Sequence, residues 1–256
     1  MNDERRHRLI ALGASNLTRG FLTALDVARG DTAGPLQVFA ALGRGRSYGL
    51  RSSLLGRGLP GIRDCGLWRA LPTPSPATTT ALVMDVGNDI LYGVEPAQIL
   101  AWIDEALTAL RPHACRRIVA GLPMHAIAAL GPLRYLAVRS VLVPGCSLSL
   151  PTVQARADVV ENGLRELARG HGAAFVALRP EWYGFDPVHF RRRDRSAAFA
   201  HLLGCDPRPP RRRLDRLSER LRWQRARSER CTWLGREVAT PQPARRWRDG
   251  TEVSLF

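Results

Sequence analysis

A three-layer α/β/α sandwich built on a five-stranded, mainly parallel sheet is the fold this sequence predicts. Short apolar segments of strand length recur along the chain, and segments of helical period lie between them. That β-α-β-α alternation is the signature of a parallel sheet covered by helices on both faces. With 256 residues and 45% hydrophobic composition, the chain is long enough for one large core and forces no second one.

Residues 8–12 read as an apolar strand that runs into the small-residue turn Gly13-Ala14-Ser15-Asn16, followed by an amphipathic helix over 17–28. Residues 37–42 give the second strand, which ends at Gly43-Arg44-Gly45. Residues 71–80, with three prolines and four threonines, read as a loop, and 80–86 as the third strand, ending at Gly87-Asn88-Asp89. A helix opens on Pro96, acceptable at a first helical position, carries Ile99, Ile103, Leu107 and Leu110 on one face, and stops at Arg111-Pro112. Residues 117–122 form the fourth strand. Residues 152–169 form a helix with Val153, Ala157, Val160, Leu164 and Leu167 on one face and Gly170 past its end. Residues 173–178 are the fifth strand, and Asp186-Pro187-Val188-His189 follows it.

The apolar pattern degrades beyond Leu203, so the chain divides into an α/β body over 1–203 and an arginine-rich C-terminal extension over 204–256. All 38 basic residues are arginine, against 23 acids, for a net charge of +15. From residue 190 onward 18 arginines face 8 acids, which concentrates the excess charge there. Residues 206–213 set three prolines among four arginines like a linker, and Leu214, Leu217 and Leu221 follow at helical spacing. The extension reads either as a terminal helix laid on the core or as a loosely ordered basic arm.

Apolar runs stay far below the roughly 20 residues of a membrane helix, so no spanning segment is expected. The first residues lack the apolar stretch of a secretory signal, which makes a cytoplasmic location the expectation. Five scattered cysteines without a C-x-x-C spacing are expected as free thiols rather than as zinc ligands or a redox pair.

The chemistry-bearing residues fall at strand ends, where ligands bind in parallel sheets. Ser15 stands at the start of a helix, whose N–H groups suit a developing oxyanion; the same position also suits a simple helix cap. Gly45 would present a bare N–H, and Asn88 an amide, although an Asn-Asp pair commonly just begins a turn. Asp186 three residues before His189 can hold one tautomer of the imidazole, whereas an isolated histidine beside Arg191-Arg192-Arg193 would be a solvated surface group. Gly43-x-Gly45-x-x-x-Gly49 imitates a dinucleotide fingerprint but lacks its spacing.

Taken together, Gly13-Ala14-Ser15-Asn16, Gly45, Gly87-Asn88-Asp89 and Asp186-x-x-His189 occur in an order that resembles the SGNH, or GDSL-like, hydrolases over residues 8–203. The resemblance implies a flavodoxin-like fold and a serine hydrolase that cleaves a carboxylic ester. Ser15 would be its nucleophile, His189 the general base and Asp186 the orienter. The oxyanion hole would come from Ser15, Gly45 and Asn88. The chain departs from the family where Ala14 replaces the usual aspartate and where Val86 stands in place of a glycine before Asn88. No metal or cofactor is implied, and the partner is a small-molecule ester. Arg46, with Arg44 and Arg19, is a candidate for holding an anionic substrate group. Trp182, Tyr183 and Phe185 line the acyl or leaving-group pocket or else pack beneath the His189 loop. The alternative function is an inactive or weak hydrolase body whose basic tail, with Arg211-Arg212-Arg213 and Trp223, Trp233 and Trp247, engages nucleic acid or an anionic surface.

Overall fold

The computed structural model describes residues 7–32, 34–54, 56–72, 78–113, 116–207, 223 and 226–256. In chain order the elements are β1 (His7–Gly13), α1 (Ser15–Gly30), β2 (Leu36–Leu42), β3 (Ser52–Leu54), β4 (Arg57–Leu59), α2 (Leu67–Ala70), β5 (Thr78–Val83), α3 (Asn88–Leu91) and α4 (Pro96–Leu110). They continue with β6 (Arg116–Ala120), α5 (Met124–Ala128), α6 (Pro132–Leu142), α7 (Leu150–Gly170), β7 (Ala174–Val176), α8 (Arg195–Leu203), β8 (Arg230–Trp233), β9 (Arg236–Ala239), β10 (Arg245–Arg246) and β11 (Glu252–Leu255).

The five expected strands lie side by side as β2-β1-β5-β6-β7, each parallel to its neighbour. From β1 the chain first goes outward to β2, then returns past β1 to β5 and proceeds the other way. The reversal opens a crevice at the carboxyl ends of β1 and β5, the place where open parallel sheets bind ligands.

Alternation along the strands builds two cores. Ile10, Leu12, Ala81 and Val83 face the layer of α4 and α7, while Leu9, Ala11 and Leu82 face that of α1 and α8. The α1–α8 contact depends on Gly20, because a Cβ there would stand 2.3 Å from the Phe199 ring.

Among the described residues seven strands, not five, make up the central sheet, and this corrects the expected count. β11 pairs in parallel with β2, setting Val253 against Val38 and Leu255 against Ala40, and β10 pairs antiparallel with β11. A second, four-stranded antiparallel sheet in the order β3-β4-β8-β9 joins an early hairpin to a late one. The expected division at residue 203 therefore does not coincide with a break in the sheet. Residues 226–256 form strands and turns. The physical reason is that β2 would otherwise expose a hydrogen-bonding edge, and two buried apolar residues, Val253 and Leu255, suffice to cover it. Arg211-Arg212-Arg213, the spacing of Leu214, Leu217 and Leu221, and residues 73–77 of the expected loop lie outside the described residues.

The tail aromatics are partly used by the body. Trp223 stacks on Phe21 with centroids 4.7 Å apart, and Trp247 lies under the guanidinium groups of Arg29 and Arg245. Trp233 is exposed. Among the described residues, no helix is long and apolar enough to cross a membrane.

Arg46 is completely buried, which removes it from the substrate-facing residues. Its Nε donates to Pro60 O (3.1 Å), and Nη1 reaches Leu42 O (3.4 Å) and the backbone oxygen of Phe256. Burial lowers its pKa. The guanidinium thus ties the end of β2 to the strand that covers it. Replacing Arg46 with Ala should leave buried carbonyls without a donor and open a cavity, for a loss of about 3 kcal/mol or more in urea unfolding. A loss below about 1 kcal/mol would show that the tie is dispensable.

Candidate active site

The turn between β1 and α1 is held from below by a carboxylate that the sequence reading did not single out. Asp85 Oδ2 accepts from the backbone N–H of Ala14 (2.9 Å) and Leu17 (3.0 Å), and Oδ1 accepts from Asn16 Nδ2 (3.0 Å). Asp85 itself has a left-handed backbone, φ 62°, directly after β5. Such a conformation is uncommon outside glycine and is tolerated best by Asp and Asn. Burial pushes its pKa up, against the opposing effect of these hydrogen bonds. The hint in the sequence is an acid inside the otherwise apolar run of 80–86.

Asn16 carries the connection across the site. Its Nδ2 also donates to Val188 O (2.9 Å), and its Oδ1 accepts from Phe190 N–H (2.8 Å). Those two residues flank His189, so one side chain fastens the imidazole loop to the residue next to Ser15. The loop rests on an aromatic cluster in which Trp182, Tyr183 and Phe199 surround Phe190 at centroid distances of 5.4–6.0 Å.

His189 is buried, and its Nδ1 lies 2.7 Å from Asp186 Oδ2. Asp186 Oδ1 accepts from the N–H groups of Val188 (3.0 Å) and His189 (3.2 Å), which folds the segment into a compact turn. Burial would raise the Asp186 carboxyl, but the hydrogen bond from His189 and the backbone N–H donors outweigh it and hold the pKa at about 2. Arg19 Nη1 stands 3.7 Å from the same carboxylate. In the neutral tautomer that carries its proton on Nδ1, facing Asp186, Nε2 has the lone pair.

Ser15, Asn88 and Tyr183 line one cavity of about 100 Å³, together with Pro187 and Val188 of the His189 loop. Its remaining wall is largely apolar, with Leu91, Leu122, Ile127 and Val153 among its members. Asn88 Nδ2 is buried there without a hydrogen-bond partner, although Val86 precedes it in place of a glycine. Gly45 does not line this cavity: its φ is +65°, its carbonyl accepts from Tyr92 Oη, and a Cβ at Gly45 would stand 2.9 Å from that hydroxyl. Of the three aromatics before His189, Trp182 packs inward, Tyr183 reaches the cavity, and Phe185 is exposed against the Arg134 guanidinium at 5.1 Å.

Asp89, next to Asn88, is buried and was not singled out as a site residue. It accepts from Ser47 Oγ and from Tyr48 N–H (3.0 Å), tying α3 to the loop after β2.

No family model matches the chain, and no curated protein matches its sequence. Solved structures do match in shape. Est24, a carbohydrate acetylesterase from Sinorhizobium meliloti, superposes with a TM-score of 0.50 at 12% identity, over 83% of this chain and 99% of that one. A carbohydrate acetylesterase family member from the same organism gives 0.49 at 14% identity, over 77% and 95%. The aryl esterase of M. smegmatis gives 0.47 at 12%, over 84% and 99%. The likeness is one of fold: the chain shares the α/β architecture of Est24.

Burial raises the Asp89 carboxyl to about 6 despite its two donors. Its proton is held more tightly in the folded chain than in the unfolded one, where an Asp titrates near about 4. A group of this sign favours folding at low pH and loses that contribution as pH rises from about 4 through about 6. The melting temperature of wild type relative to Asp89→Asn should therefore fall as pH is raised from about 4.5 to about 7.5. A pH-independent difference would show that Asp89 does not titrate in that window.

Proposed function

We propose that the protein is a serine hydrolase that cleaves a carboxylic ester of a small molecule, with Ser15 as nucleophile, His189 as general base and Asp186 as its orienter. The observation that carries this reading is the Asn16 clasp, which fastens the paired His189–Asp186 loop beside Ser15 at a cavity holding an unpartnered amide.

Each part has a chemical task. Ser15 Oγ attacks the ester carbonyl while His189 Nε2 takes its proton, and Asp186 stabilises the imidazolium that results. The carbonyl oxygen becomes an oxyanion facing Asn88 Nδ2 and the Ser15 N–H at the start of α1. His189 then returns the proton to the leaving alcohol as the C–O bond breaks, and water repeats the sequence on the acyl-enzyme. The apolar wall suits the acyl group and excludes competing water. Gly45, which the cavity does not include, takes no part in this version of the oxyanion hole. Esterases with the same fold make such chemistry reasonable for the scaffold, while the assignment to this chain rests on its own residues.

A fluorophosphonate probe should label wild-type protein covalently at Ser15 and leave Ser15→Ala unlabelled. Absence of labelling in folded wild type would overturn the reading. Asn88→Ala should keep its fold and lose roughly 100-fold to 1000-fold in kcat on p-nitrophenyl esters, the usual effect of removing one oxyanion donor. Near-normal turnover would remove Asn88 from the oxyanion hole.

A further inference from the structure

The polar groups of the cavity sort into those already satisfied and those left open. Asn16 and Asp85 bond to each other and to backbone groups. On the far wall, Tyr135 Oη donates to Leu148 O (2.6 Å), and Arg139 Nη1 reaches the same carbonyl (3.3 Å). Ser15 supplies the hydroxyl assigned to attack. Among the described lining residues, two buried side-chain atoms are without a partner: Asn88 Nδ2 and Tyr183 Oη. The first is placed for the ester carbonyl. The second has no task in the mechanism above.

A buried phenol without a partner is costly, at about 1–3 kcal/mol for the unmet group. Replacing it by phenylalanine would preserve every ring contact, including the tilted packing on Phe190 at 5.4 Å. The hydroxyl has no partner within the chain, so an acceptor that enters the cavity, substrate or water, is what would meet it. Burial, reinforced by the nearby Asp85 charge, raises the Tyr183 pKa, so the group stays protonated as a donor.

We propose that Tyr183 is a specificity-determining residue whose hydroxyl donates to a second oxygen on the acyl group, so that the cavity favours acyl chains bearing an ether, hydroxyl or keto oxygen over plain hydrocarbon chains. This rests on the reading of Ser15 as nucleophile. The two open donors then serve two acceptors of one substrate: Asn88 takes the scissile carbonyl oxygen, and Tyr183 takes the oxygen further along the chain. The surrounding apolar wall sharpens the choice, because a hydrocarbon chain leaves the phenol unmet while an oxygenated one completes it.

The test compares wild type with Tyr183→Phe on paired p-nitrophenyl esters: 2-methoxyacetate, 3-methoxypropionate and 4-oxopentanoate, each against the hydrocarbon acyl group of equal chain length. Differences in intrinsic reactivity cancel when each oxygenated-to-hydrocarbon ratio of kcat/KM is compared between the two proteins. For at least one pair, the ratio should fall about tenfold in Tyr183→Phe, the order expected for one hydrogen bond. A thermal melt of the variant at or above wild type would confirm that the ring packing is intact and that no folded-state partner was lost. Equal ratios in both proteins for all three pairs would overturn the inference. Fluorophosphonate labelling run on the same samples separates the two levels. Labelled protein with unchanged ratios refutes the role of Tyr183 alone, and unlabelled wild type refutes the hydrolase reading on which it stands.

Discussion

The three hydrogen bonds of the Asn16 side chain are the constraint on which the site geometry depends. Ser15 and His189 belong to opposite ends of the α/β body, and strand pairing alone does not fix the loop after β7 relative to the turn after β1. Asn16 does so with one planar amide: its oxygen takes Phe190 N–H, and its two amide hydrogens go to Val188 O and to Asp85. Because the amide is buried, each of these bonds forms away from competing water, and losing one partner leaves a desolvated group at a cost of about 1–3 kcal/mol. The rotamer of Asn16 is thus determined from both sides. An equally polar residue without a donor and acceptor on one rigid plane could not make the same connection.

Asp85 extends that constraint downward to the sheet. It stands at the end of β5, beside β1, and receives two backbone N–H groups from the Ser15 turn as well as the Asn16 amide. The left-handed conformation that turns its carboxylate under α1 is unfavourable by itself, and the three hydrogen bonds offset it. The carboxylate also complements the positive end of α1. Sheet, serine turn and histidine loop are in this way linked through two side chains, neither of which reacts.

The legibility of the chain follows from the range of each interaction. β1, β2, α1, α4 and α7 were visible because apolar periodicity is written locally, and the structure extends them by only a residue or two. β5 ends at Val83, earlier than the expected Val86, because Asp85 leaves the extended conformation to serve the serine turn. β11 was not legible, since Val253 and Leu255 are only two alternating apolar residues whose partner, β2, lies more than two hundred positions away. In the candidate site, the strand-end placement of Ser15, Asn88 and the Asp186–His189 pair followed from local spacing. The connection of Asn16 to the histidine loop spans 172 and 174 positions, which no local pattern encodes. Arg46 misled for the opposite reason. Arginine is abundant here and usually solvated, so nothing near Arg46 in sequence showed that its carbonyl partners would come from Pro60 and Phe256.

Arg46 and Tyr183 are two kinds of buried polar group. Both are interior residues that an average hydropathy argument would place outside. The Arg46 guanidinium meets carbonyls at the ends of several segments, so its presence completes a fold that would otherwise carry unmet acceptors. The Tyr183 hydroxyl meets nothing, yet it shares its cavity with the likewise unmet amide of Asn88. Polar groups satisfied by the chain stabilise the chain, and polar groups left open in a concave apolar wall can be satisfied only by something that enters. The distinction does not depend on residue type, charge or depth. It depends on what the group meets: the Arg46 guanidinium ties three carbonyls although its Nη2 stays unpartnered, whereas the Tyr183 hydroxyl and the Asn88 amide nitrogen meet none and belong to residues that share a cavity.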